Sequence, residues 1–362
     1  MTREVGGVLI MAGGTGGHIF PGLAVAAELQ GRGIPVRWLG ASGGMECERV
    51  PAANIPLDAV SISGLRGKGL VRWLGMPWKL SRAVFQAFRV IGRHRPECAV
   101  SFGGYAAGPG GLAAWLRGVP LLVHEQNRVP GLTNRVLARF ARSVLQAFPG
   151  SWPAAAAAVT CGNPVRADVV GLPAPEARMA ARNGPLRVLV TGGSQGARAL
   201  NEKVPAALGL LPESLRPQVH HQAGRDRAEE TRQAYRDAGI EARVQPFIDD
   251  MARAYAWADL VVCRSGALTV SELAAAGIGA VLVPFPHAVD DHQACNADYL
   301  AAAGAAEMIR EADCSAQALA DLLASLLTSR ERLLDMALAA RGLAMPDSAR
   351  RVADLCQEAM AS

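Results

Sequence analysis

No run of 18 or more apolar residues passes without a charge or a breaker, which argues against a membrane-spanning helix and leaves peripheral contact as the way to meet a bilayer. Aromatic residues make up only 5% of a chain that is 50% hydrophobic, so its interior must be built from Ala, Leu, Val and Gly, which suit close helix-on-sheet packing and not disorder. The seven cysteines (Cys47, Cys98, Cys161, Cys263, Cys295, Cys314 and Cys356) are odd in number, scattered, and without a CxxC or His-spaced pair. That spacing speaks against a zinc framework and reads as small buried residues in a reducing compartment. The start carries Glu4 and is too short for a signal n-region, so no export is expected. Acid is missing between Arg66 and Arg95, where eight Lys/Arg stand with no Asp or Glu; that local excess says more than the net charge of +5.

What is present is a repeated α/β pattern. A length of 362 residues favours two domains of about 150–180 residues each. The opening VLIMAGGTGGHIFPGLAVAAELQGRG predicts a strand over residues 8–12, a glycine loop, a helix over 21–30 with Pro21 near its first turn, and a strand over 36–39. Such an order calls for a parallel sheet covered on both faces. Short apolar runs at 99–102, 121–123 and 144–147 continue it. After a Pro/Ala-rich stretch, LRVLVTGGSQGARALN restarts the pattern with a strand at 187–190, a loop at 192–196 and a helix from Ala197. An offset of 179 sets Gly13, Gly14, Thr15 and Gly17 on Gly192, Gly193, Ser194 and Gly196, as two similar nucleotide-fold halves require. Strands follow at 219–222, 242–246, 260–263 and 280–284, the linker falls near 162–164, and 349–360 is a helix compatible with either half.

The glycine loop Gly13-Gly14-Thr15-Gly16-Gly17-His18 lies between strand and helix, where backbone N–H groups and the helix dipole favour an anion. It is no Walker loop, because no Gly-Lys-Ser/Thr follows. Nor is it a dinucleotide fingerprint, because Ile19 stands where the third glycine belongs and the next strand ends in Leu39-Gly40. His18 suits a general base, and equally a loop cap or a phosphate ligand. Gly103-Gly104-Tyr105 form a second glycine turn, either for a second diphosphate or simply to turn the chain. His124-Glu125-Gln126-Asn127 offer a mixed donor and acceptor set at a strand end. In the second half, Ser194 suits diphosphate oxygens, Arg166 is either a charge-assisted contact to the same group or a surface arginine, and Glu272 is either a ribose ligand or a helix-stabilising acid. Asp290 and Asp291 read as capping in preference to metal ligation. In the basic stretch Leu80, Val84, Ala87 and Ile91 form a core stripe, and Trp78, Arg82, Phe85, Arg89 and Arg93 an aromatic and basic one suited to anionic headgroups. A solvated charged face is the alternative, and nucleic acid ranks last.

Taken in order, GGTGGHIFPGLAVA, GLRGKG, GGYAAGPGGLAAW, HEQNRVPGLTN, QAFPG, GNPVR, GGSQGARALN, PFIDDM, RSGALTVSELAAAG and PFPHAVDDHQ resemble one family over nearly the whole chain. It is the UDP-N-acetylglucosamine:N-acetylmuramyl-(pentapeptide) pyrophosphoryl-undecaprenol N-acetylglucosaminyltransferases of peptidoglycan synthesis. The resemblance implies a GT-B fold of two Rossmann-like α/β domains with parallel sheets facing a cleft: residues 1–162 for acceptor and membrane, 163–345 for the UDP-sugar, and 346–362 as a helix returning to the first. It implies an inverting transfer of N-acetylglucosamine from its UDP donor to the 4-hydroxyl of undecaprenyl-diphosphate-N-acetylmuramyl-pentapeptide, at the cytoplasmic face of the inner membrane. Donor contacts fall on Thr15, Gly16, Gly17, Asn127, Arg166, Ser194, Ile248, Ala267, Leu268, Thr269, Val270, Ser271, Glu272 and Gln293. The turn at Phe247 and Ile248 would read uracil, and Glu272 ribose. The acceptor diphosphate falls to Gly13, Gly14, Gly103, Gly104 and Tyr105. His18, Glu125 and Asn127 are the catalytic candidates, and Trp73, Trp78, Arg82, Phe85 and Arg89 the membrane patch. No obligatory cofactor or metal is implied, a divalent cation being at most a stimulant, and other cell-wall or division proteins are the further partners. The sequence departs from the family at Arg139, where a lysine is common, and in the alanine run 154–158. A UDP-sugar 2-epimerase and a non-catalytic nucleotide-sugar sensor are the rival readings, with a dehydrogenase more distant.

Overall fold

The computed structural model describes residues 6–62, 76–180, 182–193 and 196–361. Trp73, Ser194 and the Arg66 end of the basic stretch lie outside them. The chain divides into two compact units, one of Met1–Arg166 with Met345–Ser362, the other of Ala167–Ala344.

The first unit runs β1 (Val8–Ala12), α1 (Gly16–Gly31), β2 (Val36–Ala41), α2 (Glu46–Ala52), β3 (Leu57–Val60), α3 (Met76–His94), β4 (Cys98–Gly103), α4 (Ala107–Leu116), β5 (Leu121–Glu125), α5 (Leu132–Leu137), β6 (Ser143–Gln146) and β7 (Val159–Thr160). Its seven strands are parallel in the order β3-β2-β1-β4-β5-β6-β7. Both faces of β1 are buried, as its uninterrupted apolar run requires. Val8, Ile10 and Ala12 join Ile19, Val25 and Leu29 of α1 in one core layer, while Leu9 and Met11 join Ala87 and Ile91 of α3 and Ala113 and Ala114 of α4 in the other. Gly22 lets α1 close on the sheet, since a Cβ there would stand 2.6 Å from the buried Trp38 ring, whose indole N–H donates to the Ala12 carbonyl (2.9 Å).

The second unit holds α6 (Ala167–Val170), α7 (Pro175–Met179), β8 (Arg187–Thr191), α8 (Arg198–Gly209), β9 (Gln218–Gln222), α9 (Ala228–Asp237), β10 (Ala242–Gln245), α10 (Met251–Trp257), β11 (Leu260–Cys263), α11 (Ala267–Ala276), β12 (Gly279–Leu282), α12 (His292–Ala301), β13 (Ala306–Met308), α13 (Ala316–Leu327) and α14 (Arg330–Gly342). Its parallel sheet has the order β10-β9-β8-β11-β12-β13. Val188 and Val190 pack with Leu200, Val204 and Leu208 of α8 and with Leu319 and Leu323 of α13. The last helix, α15 (Ser348–Met360), belongs to the first unit, where Val352, Ala353 and Cys356 enter the α1 layer.

In each unit the strand order reverses beside the first strand, between β1 and β4 and between β8 and β11, which is where open α/β sheets bind ligands. A register shift between Met11 and Ala12 marks that point in the first sheet.

Two expectations are corrected. Helix α1 begins at Gly16 and not near Pro21, because Ile19 is fully buried and draws the preceding turn into the helix; Pro21 thus lies inside it and His18 in its first turn. On α3 the buried stripe is Ala83, Ala87 and Ile91, while Leu80 is 44% exposed. The helix packs against α4 on its alanine side, and the four-residue spacing sets in one residue away from the expected line.

Candidate active site

At the switch point of the first unit the two glycine turns meet backbone to backbone. Gly104, at φ +88°, has no room for a Cβ, which would stand 2.2 Å from the Gly13 carbonyl oxygen. Gly103, at φ +95°, faces the imidazole of His18, and a Cβ there would lie 3.4 Å from ring atoms Cε1 and Nδ1. Tyr105, 47% exposed, sits over Gly14. Thr15 is the extended N-cap of α1 and bears no side-chain cap bond, so the amides at Gly16 and Gly17 open the helix as an anion site would. His18, half-buried, places Nδ1 3.1 Å from Gln126 Oε1. The Arg166 guanidinium lies 5.9 Å over the Phe20 ring of the same helix.

Two carboxylates organise this region from beneath. Glu125, expected among the catalytic groups, is 1% exposed and accepts from the Asn127 N–H (2.9 Å), Asn127 Nδ2 (3.2 Å), the Gly131 N–H (3.1 Å) and Asn134 Nδ2 (2.9 Å). With both oxygens engaged by its own loop, it shapes residues 126–131 and holds Asn127 in place. Asn134 also donates to the His124 carbonyl (3.1 Å) and accepts from the Ser101 hydroxyl (3.2 Å), which itself accepts from the Gly103 N–H. Glu46 is the residue that sequence reasoning missed. Its carboxylate, 0% exposed, accepts from the Gly14 N–H (3.2 Å) and the Ala41 N–H (2.9 Å). Gly13, Gly40 and Gly44 surround it so closely that a Cβ on any of them would lie 2.2–2.7 Å from its side-chain atoms. The Gly14 amide, expected to face a diphosphate, therefore donates to a protein carboxylate, and part of the glycine content of the loop serves to house that acid.

In the second unit, Gly192 and Gly196 stand where neighbouring backbone leaves no room for a side chain: a Cβ on Gly196 would stand 2.0 Å from the Ala223 carbonyl oxygen. Gln222, at the end of β9, donates to the Gly193 carbonyl (2.8 Å) and accepts from the Ile248 N–H (3.1 Å), tying the glycine loop to the Phe247-Ile248 turn. Helix α11 opens at Gly266 with no side-chain cap, which leaves the first-turn amides at Ala267, Leu268 and Thr269 pointed out of the helix end, while Val270 is buried and the Ser271 hydroxyl donates back to the Ala267 carbonyl. The Arg178 guanidinium donates to the carbonyls of Ala276 and Gly277 at the other end, where a cation complements the dipole. Glu272, 7% exposed, accepts from the Tyr255 hydroxyl (2.9 Å). Ser265 donates to the Gln293 carbonyl (2.7 Å), and the Gln293 side chain accepts from the Phe285 N–H (3.0 Å), which fixes the start of α12 beside α11. Asp290 and Asp291 both adopt positive φ (53° and 50°), and Asp291 pairs with Arg310 (3.0 Å).

Each unit also buries a neutral imidazole. Burial pushes His124 down to about 4, only partly offset by its bond to the Gly162 carbonyl, and pushes His221, set between Asn201 and Tyr235, down to about 3. The unfolded chain takes up these protons near pH 6.5 and the folded chain does not, so stability is complete above that pH and falls as the pH drops toward 4. The expected loss is roughly 2 kcal/mol per imidazole at pH 5. A lower urea midpoint at pH 5 than at pH 7 checks this, and equal midpoints would contradict it.

On α3, Trp78 (77% exposed), Arg82, Phe85 (61%) and Arg89 share one exposed face, with the Arg89 guanidinium 5.9 Å over the Phe85 ring. Among the described residues no helix is long and apolar enough to cross a membrane.

Residues 8–146 match the glycosyltransferase family 28 N-terminal domain and residues 187–352 the family 28 C-terminal domain. A protein of Xanthomonas euvesicatoria pv. vesicatoria named UDP-N-acetylglucosamine--N-acetylmuramyl-(pentapeptide) pyrophosphoryl-undecaprenol N-acetylglucosamine transferase is 58% identical over 350 residues, 96% of this chain and 80% of that protein. The protein of the same name from Marinobacter nauticus is 54% identical over 351 residues, 97% of each chain. The crystal structure of Acinetobacter baumannii MurG superposes with a TM-score of 0.84 at 43% identity, covering 98% of this chain and 100% of that one. A UDP-GlcNAc 2-epimerase from Neisseria meningitidis gives 0.67 at 12% identity over 97% and 99% of the two chains, a likeness of fold alone.

Proposed function

Because this chain belongs to glycosyltransferase family 28, among its UDP-N-acetylglucosamine:N-acetylmuramyl-(pentapeptide) pyrophosphoryl-undecaprenol transferases, we propose that it works by one in-line displacement with His18 as base. The enzyme transfers N-acetylglucosamine to the lipid-linked muramyl pentapeptide, with two GT-B Rossmann-like units as its scaffold. The muramyl 4-hydroxyl attacks the anomeric carbon, its proton passes to His18, the bond to UDP breaks with UDP as the leaving group, and the sugar is joined to the acceptor oxygen with inverted, β configuration. Opening amides of α11, together with Arg166 and Ser194, receive the negative charge that grows on the departing diphosphate, so no metal is required for that step. Uracil is read at the backbone of Ile248, ribose at Glu272 held by Tyr255, and the sugar beside Gln293 and Asn127. The acceptor diphosphate lies against Gly103, Gly104 and Tyr105.

The observation that carries this reading is the imidazole of His18 set against Gly103 at the switch point, where both glycine turns of the first unit converge. The exposed face of α3, with Trp78, Arg82, Phe85 and Arg89, rests on anionic headgroups at the cytoplasmic side of the inner membrane. The deciding measurement is UDP release from UDP-N-acetylglucosamine with and without a short-chain analogue of the lipid acceptor. Release that depends on the acceptor, with a disaccharide lipid as product, is expected. Release of free N-acetylmannosamine from the donor alone would instead mark a 2-epimerase.

A further inference from the structure

Two buried side chains beside His18 have no part in the reaction as written. Gln126 is 1% exposed and His124 is 0% exposed, and they stand between His18 and the backbone in a line of contacts that admits one consistent set of protons. The line starts at the Gly162 carbonyl, which can only accept, so the His124 Nε2 lying 2.9 Å from it carries a hydrogen. Burial keeps that imidazole neutral, and its Nδ1 therefore holds a lone pair. The end of the Gln126 amide that faces this lone pair at 3.1 Å also lies 3.0 Å from the His124 carbonyl. Two acceptors at one amide end require the NH2 group there. Gln126 Oε1 is consequently turned toward His18, 3.1 Å from Nδ1, and an accepting oxygen requires Nδ1–H on that ring. Turning the amide over would set its oxygen against two acceptors.

We infer that Gln126 and His124 are positioning residues that hold His18 in its Nδ1–H tautomer, leaving Nε2 as the ring nitrogen that takes the proton of the attacking hydroxyl. The inference rests on the reading of His18 as the base. Gly103, at φ +95°, faces the same ring, and a Cβ there would stand 3.4 Å from Cε1 and Nδ1. The arrangement matches the general logic of acid–base histidines, in which a second group selects the tautomer and thereby the reacting nitrogen.

The test uses the full-length protein labelled with 15N-histidine, with the His18 resonances identified by their loss in His18→Ala. Long-range 1H–15N spectra in the neutral-imidazole range are expected to show a protonated Nδ1 and an unprotonated Nε2 for His18. The reverse pattern, or an even mixture, overturns the inference, and this wild-type spectrum decides it even if no Gln126 variant folds. In Gln126→Leu the tautomers should mix, kcat should fall by ~10–100-fold and the donor KM should stay within about twofold. An unchanged kcat with a mixed tautomer would overturn the assignment of Nε2 as the reacting atom. Failure of the base reading shows differently: His18→Ala would keep its turnover, while the wild-type spectrum would still report how the ring is held.

Discussion

Replacing His18 with alanine is expected to lower kcat by ~10^2–10^4-fold while the KM for UDP-N-acetylglucosamine changes only a few-fold. The split follows from position. The ring projects from the first turn of α1 onto Gly103, between the two glycine turns, and its Nδ1 meets Gln126 Oε1. Uracil and ribose, by contrast, are assigned to Ile248 and Glu272 in the second unit, so their binding should survive the loss of the imidazole. Acceptor-dependent UDP release at saturating donor gives kcat directly. A variant with near-normal turnover would remove His18 from the mechanism, and one that loses donor affinity in proportion to turnover would make it a ligand of the diphosphate.

Replacing Glu46 with alanine should destabilise the protein by roughly 2–4 kcal/mol, because two buried N–H groups lose their acceptor and a cavity opens among three glycines. For a unit of this size that corresponds to a fall in Tm of roughly 5–10 °C. Its effect on catalysis has a sign that separates two accounts of the glycine loop. If Gly13 and Gly14 serve the acceptor diphosphate alone, deleting a nearby negative charge tightens anion binding and lowers the acceptor KM. If Glu46 holds the loop in its working shape, as the bond from the Gly14 amide indicates, the acceptor KM rises and the donor KM does not. The second outcome is expected, and a lowered acceptor KM would refute it. Glu46→Gln keeps the shape but turns an NH2 group toward one of the two amides, so it should fall between alanine and the native residue.

Why Glu46 escaped sequence reasoning is instructive. It stands 32 residues from Gly14, on a short helix with no amphipathic pattern, and nothing in ECERVP marks an acid that will be fully buried. Local pattern locates elements well where both faces of a strand are apolar: β1 and β11 occupy the residues their hydrophobic runs predict, and the glycine turns fall at the strand ends. The edge strands β3, β7 and β13 were not anticipated, being short and of mixed polarity, so that only neighbours across the sheet define them. The start of α1 was misplaced because Pro21 reads as a first-turn residue, whereas burial of Ile19 decides where the helix begins. Among the candidate site residues, His18 and Glu272 stand out in the sequence by their position after a strand or glycine turn. Gln222 and Tyr255 did not, since a polar side chain that ties together two loops, or orients another acid, has no signature apart from the loops it joins.

The helix α15 has a consequence for the order in which this protein can be made. Val352, Ala353, Cys356 and Ala359 fill the core layer that α1 and the β1 and β4 strands line on their other sides. A ribosome delivers residues 167–344 in between, so the first unit emerges in two separated pieces, and its α1 layer stays open to water until the second unit has already emerged. During translation the second unit can close its own core first. The nascent first unit, with Ile19, Val25 and Leu29 uncovered along one side, is then the species on which a chaperone would act.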